Sequence, residues 1–166
     1  MRKDILDLIS NSEKIVFEFY TGSNNPIEHL KLATKIVPND SGIYLVFCEN
    51  RFLNSMVHLE YEIEGNLYSL MYFGKAGGIT KTGKNISQGL NGRINNVISD
   101  SKRNLKDIKR ANYWETVTTE MGIEKLLIIC LTHESPQEIE NVLYSFLDKN
   151  ELQYPVLNKR RGRKKI

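Results

Sequence analysis

The chain reads as a single mixed α/β domain. Two observations predict this. Short β-type runs rich in Val, Ile, Leu, Phe and Tyr are interspersed with segments whose apolar residues recur at helical spacing. The length, 166 residues, suits one domain with a core of its own. No internal repeat and no linker divides it.

In order, Ile5, Leu6, Leu8 and Ile9 predict a short amphipathic helix, and Lys14–Tyr20 a strand. Thr21–Pro26 is a turn cluster, with Pro26 placed for the first turn of a helix that Ile27, Leu30, Leu32 and Ile36 continue. Pro38–Ser41 ends that helix and opens a strand, Ser41–Phe47. Met56–Glu64 alternates, which puts Leu59, Tyr61 and Ile63 on one face and His58, Glu60, Glu62 and Glu64 on the other, solvated face. Glu64-Gly65-Asn66 is a hairpin turn from which Leu67–Phe73 returns. Ser87 caps a helix through about Ser99 with Leu90, Ile94, Val97 and Ile98 inward. Tyr113–Val117 predicts a strand and Met121-Gly122 a turn. Lys125–Leu131, the most apolar run, predicts the central buried strand. Ser135-Pro136-Gln137-Glu138 starts a helix as a capping box, with Ile139, Val142, Leu143, Phe146 and Leu147 buried.

Composition narrows the function classes. No apolar run approaches a membrane span, and the N-terminal stretch is not a secretory signal. The 2 cysteines, Cys48 and Cys130, sit inside apolar runs and read as buried hydrophobes of a reducing cytoplasm. Without a CxxC or Cys/His cluster, structural zinc is not expected. Net charge is only +3 but is concentrated. Lys102, Arg103, Lys106, Lys109 and Arg110 face a single acid, Asp107, and a tail of Lys159, Arg160, Arg161, Arg163, Lys164 and Lys165 closes the chain. Such blocks suit phosphate backbones, although a solvated helix face and a solubilising tail read equally well. The loop 77–87 has glycines and lysines but no nucleotide-binding fingerprint.

The two motif strands carry the chemistry. Gly42-Ile43-Tyr44 and Tyr72-Phe73-Gly74 each set a tyrosine near a glycine; the second runs into Lys75-Ala76, and Arg93 follows on a helix. Either tyrosine alone is most simply strand packing. Together, and in this order with an acid in the late helix, they resemble the GIY-YIG nuclease family over about residues 41–158, with residues 1–40 as an N-terminal extension and 159–166 as the basic tail.

The resemblance implies an α+β fold, a small, mainly antiparallel central sheet flanked by helices. It also implies an endonuclease that hydrolyses DNA phosphodiesters with Mg2+ or Mn2+. Tyr44 and Tyr72 would serve the water and the scissile phosphate, Arg93 would clamp the phosphate, and Glu140 would hold the metal. Lys75 and Asn158 would contact phosphate, and Lys102, Arg103, Lys106, Arg160 and Arg161 the DNA backbone. Glu140 is preferred to Glu138, which has the capping-box place. The connection between the tyrosines is longer than the family usually uses. Many members carry a His one turn after the Arg, where this chain has Val97; Tyr44 or a metal-bound hydroxide is then the base, with His133 a distant second. His29 and His58 read as ordinary surface or structural residues. A restriction- or defence-type enzyme, cytoplasmic, monomeric or homodimeric, is expected. The alternatives are a catalytically weak nucleic-acid-binding module of the same fold, or an α/β domain whose tyrosines only pack.

Overall fold

The computed structural model describes residues 5–20, 35–53, 57–78, 83, 89–92, 94 and 117–158. Arg93, the basic segment 102–110, the tail and most of the expected helix from Pro26 lie outside the described residues; Ile36, its last expected member, is in a turn.

The fold is α+β, with one five-stranded antiparallel sheet. Helix α1 (Ile5–Asn11) precedes β1 (Ile15–Tyr20), β2 (Gly42–Glu49), β3 (Glu60–Ile63), β4 (Asn66–Ala76), β5 (Lys125–Thr132) and α2 (Pro136–Lys149). The sheet order is β1-β5-β2-β4-β3. The middle place therefore belongs to β2 rather than to β5, whose run Leu126–Leu131 is buried throughout as expected for an interior strand.

Alternation along β2 gives the sheet two different faces. Ile43, Leu45 and Phe47 join Leu127, Ile129, Leu131 and the inward residues of α1 and α2 in one cluster. Tyr44, Val46 and Cys48 join Ile128, Cys130, Leu90, Ile94 and Ile123 in the other. Every residue from Gly42 to Cys48 is buried, because both faces are covered. α2 presents Ile139, Leu143, Tyr144 and Leu147 to its face, a stripe of helical spacing.

Three expectations are corrected. β3 begins at Glu60, later than the alternation suggests, because the Val57 carbonyl accepts from the Gln153 amide at 2.6 Å instead of pairing in a ladder. The hairpin that follows turns at Glu64 and Gly65, with φ of 50° and 83°. Val117, expected to close a strand, lies in a helical segment over 117–121, and its packing with Met121 against the tyrosine-side cluster overrides β propensity. The capping box does not form. Ser135 makes no side-chain cap bond; its backbone N–H donates to His133 Nδ1 at 2.9 Å, and the Glu138 amide donates to the Ser135 carbonyl at 3.0 Å.

Both cysteines are free and buried, and burial pushes each thiol up to about 12. Thiolate is the reactive form, so at pH 8 its population should fall roughly a thousandfold below that of an ordinary thiol. Iodoacetamide is expected to modify Cys48 and Cys130 only after denaturation, which intact-mass measurement of native and urea-treated protein would read directly.

Candidate functional site

The site-bearing end of the sheet is where β2 begins and β4 and β5 end. Gly42 pairs with Ala76 on one side and Thr132 on the other. The ladder continues one step further, through the His133 amide to the Ser41 carbonyl at 3.0 Å and the Ser41 hydroxyl to the His133 carbonyl at 2.7 Å. α2 starts just beyond. The helical residues 90–92 are moored to the same end by the Leu90 amide on the Asp40 carbonyl, 2.9 Å, and by Asn91 Nδ2 on the Val37 carbonyl, 3.1 Å.

Both motif glycines have a packing reason. A Cβ on Gly74 would lie 2.2 Å from Cζ and 2.5 Å from the hydroxyl of Tyr44, its cross-strand partner. The Tyr44 ring thus lies across the space that Gly74 leaves open. A Cβ on Gly42 would lie 2.1 Å from the Leu131 carbonyl oxygen, so that glycine admits the β5 backbone.

The structure brings the two tyrosines together, with ring centroids 5.7 Å apart. Tyr44 is wholly buried, whereas Tyr72 is half-buried at the margin of the same cluster. It also brings Lys75 to Glu140: Nζ is 3.2 Å from Oε1, with Lys75 about one-third exposed at 36% and Glu140 at 18%. Gln137, which the sequence reading passed over, binds both. Its Oε1 accepts from Lys75 Nζ, and its Nε2 donates to Glu140 Oε1 at 3.2 Å. The i, i+3 spacing of Gln137 and Glu140 was the available signal.

These two groups occupy opposite faces. Lys75 pairs with Ile43, and Gly74 with Tyr44, so Lys75 points to the α2 side and the tyrosines to the other. The expectation that Tyr44, Tyr72, Arg93 and Glu140 serve one phosphate and its metal becomes, for the described residues, two clusters sharing one rim of the sheet. Leu90 and Ile94 pack on the tyrosine side.

Asn158 has a structural task. Its Oδ1 accepts from the Phe73 amide at 2.8 Å and its Nδ2 donates to the Phe73 carbonyl at 2.9 Å. β3 reaches along β4 only to Ser69, so beyond it Asn158 completes the outer edge of β4, beside the Leu157 amide on the Met71 carbonyl at 2.8 Å. Asn158→Ala would orphan both Phe73 groups in a part-buried place and is expected to cost about 1–3 kcal/mol, read as a lower midpoint in urea unfolding.

The other acid and the histidines separate cleanly. Glu138 is exposed. His133 Nδ1 is taken by the Ser135 amide, so that nitrogen is an acceptor in the turn before α2. His58 is half-buried, and burial lowers its pKa from the ordinary imidazole value. A cleft of about 690 Å³ opens on the tyrosine face among Glu13, Lys14, Asp40, Leu90, Cys130 and Thr132; the two acids at its rim suit it poorly to phosphate.

Among the described residues no three His, Cys, Asp or Glu side chains gather as a metal cluster, and no helix is long and apolar enough to cross a membrane. Magnesium needs only one or two carboxylates beside water and substrate oxygens, so Glu140 with the neighbouring Gln137 amide oxygen fits that ion and does not fit zinc. Comparison with family models, curated proteins and solved structures returns no match for this chain.

Proposed function

We propose that this protein is a metal-dependent endonuclease acting on DNA phosphodiesters, of the restriction or defence type. The observation that carries the reading is that the Tyr44–Tyr72 pair and the Lys75–Glu140 pair share one end of one sheet from its two faces, so that a phosphate lying over that rim could meet both. The supporting pattern is the motif itself: two tyrosine–glycine strands, Lys75 directly after the second, and Arg93 on the segment that follows.

The chain's own groups divide the work. Tyr72, the half-buried tyrosine of the pair, would orient the attacking water or a phosphate oxygen. Tyr44 packs behind it over Gly74 and holds its ring in place. Arg93, with a charge fixed at every working pH and a bidentate fork, would take the phosphate as charge builds in the transition state. Lys75 adds a second cation. Glu140 and Gln137 would hold a divalent cation, which when bound polarises the phosphoryl oxygen. The basic residues Lys102, Arg103, Lys106, Arg160 and Arg161 would bind the DNA backbone without reading sequence.

The full burial of Tyr44 favours a second reading, a nucleic-acid-binding module whose tyrosines chiefly pack. Supercoiled plasmid decides between them. The enzyme is expected to convert it to nicked or linear product with Mg2+ and not with EDTA. Retardation of DNA without any product at saturating Mg2+ would leave the binding module.

A further inference from the structure

We propose that the Lys75 ammonium occupies, within the chain, the place of a divalent cation, and that Gln137 is the second protein oxygen of that cation site. The inference rests on the nuclease reading for the metal itself; the geometry of Lys75 and Gln137 carries the rest.

Two side-chain oxygens from successive turns of α2, Oε1 of Gln137 and Oε1 of Glu140, meet on one positive atom, Lys75 Nζ. They come from a rigid element: α2 runs from Pro136 to Lys149 with its inward stripe packed on the sheet. The cation comes from the end of β4, just before the turn at Gly77 and Gly78. One carboxylate oxygen and one amide oxygen around a compact charge are the hard-oxygen set that Mg2+ and Mn2+ accept. The Gln137 amide further orients the pair, because its Nε2 holds the same Glu140 oxygen at 3.2 Å.

Two consequences follow. A metal entering this place must displace Lys75, and the positive N-terminal end of α2 gives a cation there no help. Metal affinity in the absence of nucleic acid is therefore weak. A substrate phosphate offers Lys75 a better partner and draws it off Glu140, which opens the site. DNA then tightens the metal, and by linkage the metal tightens DNA by the same factor. Such coupling keeps the metal and the lysine from occupying the carboxylate together, and it loads the metal where a phosphate is already in place.

The test is Mn2+ titration followed by electron paramagnetic resonance, with no nucleic acid present, on the full chain and on Lys75→Met, Lys75→Gln, Lys75→Met/Gln137→Leu and Lys75→Met/Glu140→Gln. Far-UV circular dichroism establishes that each is folded. Either lysine variant is expected to bind Mn2+ at least about tenfold more tightly than the wild type, the effect of removing a unit charge in contact with the site. Adding Gln137→Leu should lose most of that gain, and adding Glu140→Gln all of it. Unchanged affinity in both lysine variants overturns the proposal, as does a gain that survives Gln137→Leu or Glu140→Gln. The readout is independent of cleavage. Tight Mn2+ binding by Lys75→Met beside a wild type that nicks no plasmid would keep the cation site and discard the nuclease.

Discussion

Glu140→Gln is expected to lower plasmid cleavage by roughly a hundredfold or more, the scale at which a single group stabilising transition-state charge is felt. DNA binding should be kept or slightly improved, because the change removes one negative charge near the phosphate. The substitution keeps size and hydrogen-bonding capacity, and the Lys75 pair it weakens is partly exposed. Exposed pairs contribute about 0–1 kcal/mol, so the melting temperature should fall by no more than a few degrees. Loss of turnover with the fold and binding retained would therefore report on chemistry and not on unfolding. Glu138→Gln is the control. That side chain is exposed, and cleavage by the variant should stay near wild type. Inactive Glu138→Gln beside active Glu140→Gln would show that the other acid serves the metal.

The scaffold of this site was legible where local pattern and burial agree. Ile43 to Cys48, Leu126 to Leu131 and the stripe Ile139, Leu143, Leu147 have the composition and period of what they became. Legibility failed where a distant partner decides. Val117 carries a strand former's side chain, and it is helical because Val117 and Met121 both find the tyrosine-side cluster. Ser135 has the residues of a capping box downstream, but His133 Nδ1 is closer to its amide. Gln137 reads as a solvated helix position until Lys75, distant in sequence, arrives beside it. One part of the site was misread although the signal was present. Tyr72 and Lys75 lie an odd number of places apart on one strand, and alternation alone sends them to opposite faces. Assigning Tyr44, Tyr72 and Glu140 together to one phosphate and its metal put the motif above the pleat. The edge role of Asn158 follows from β3 stopping at Ser69, which no local pattern announces.

Gly74→Ala is expected to destabilise the fold at or beyond the upper end of the ~1–3 kcal/mol that overpacking a core usually costs. For a chain of this size that lowers the melting temperature by about 6–12 °C. The new methyl would stand 2.2 Å from Tyr44 Cζ and 2.3 Å from Cε1, inside any tolerable contact, and the ring has no exposed surface toward which to yield. Either β2 and β4 part or the ring turns. Turning it moves the phenol behind Tyr72, so cleavage should fall as well. The cause can be isolated by a double-mutant cycle. Tyr44→Leu removes the atoms in conflict while leaving the site filled, and in that background Gly74→Ala should cost little. Tyr44→Phe should give no relief, because Cζ and Cε1 remain. Gly42→Ala supplies the contrast: its methyl would meet the Leu131 carbonyl oxygen at 2.1 Å and the Thr132 Cα at 3.0 Å. Those are backbone atoms of an interior strand, so truncating the nearby Leu90 side chain should not restore stability. Equal costs for Gly74→Ala in the wild-type and Tyr44→Leu backgrounds would show that Gly74 is required by something other than the tyrosine laid across it.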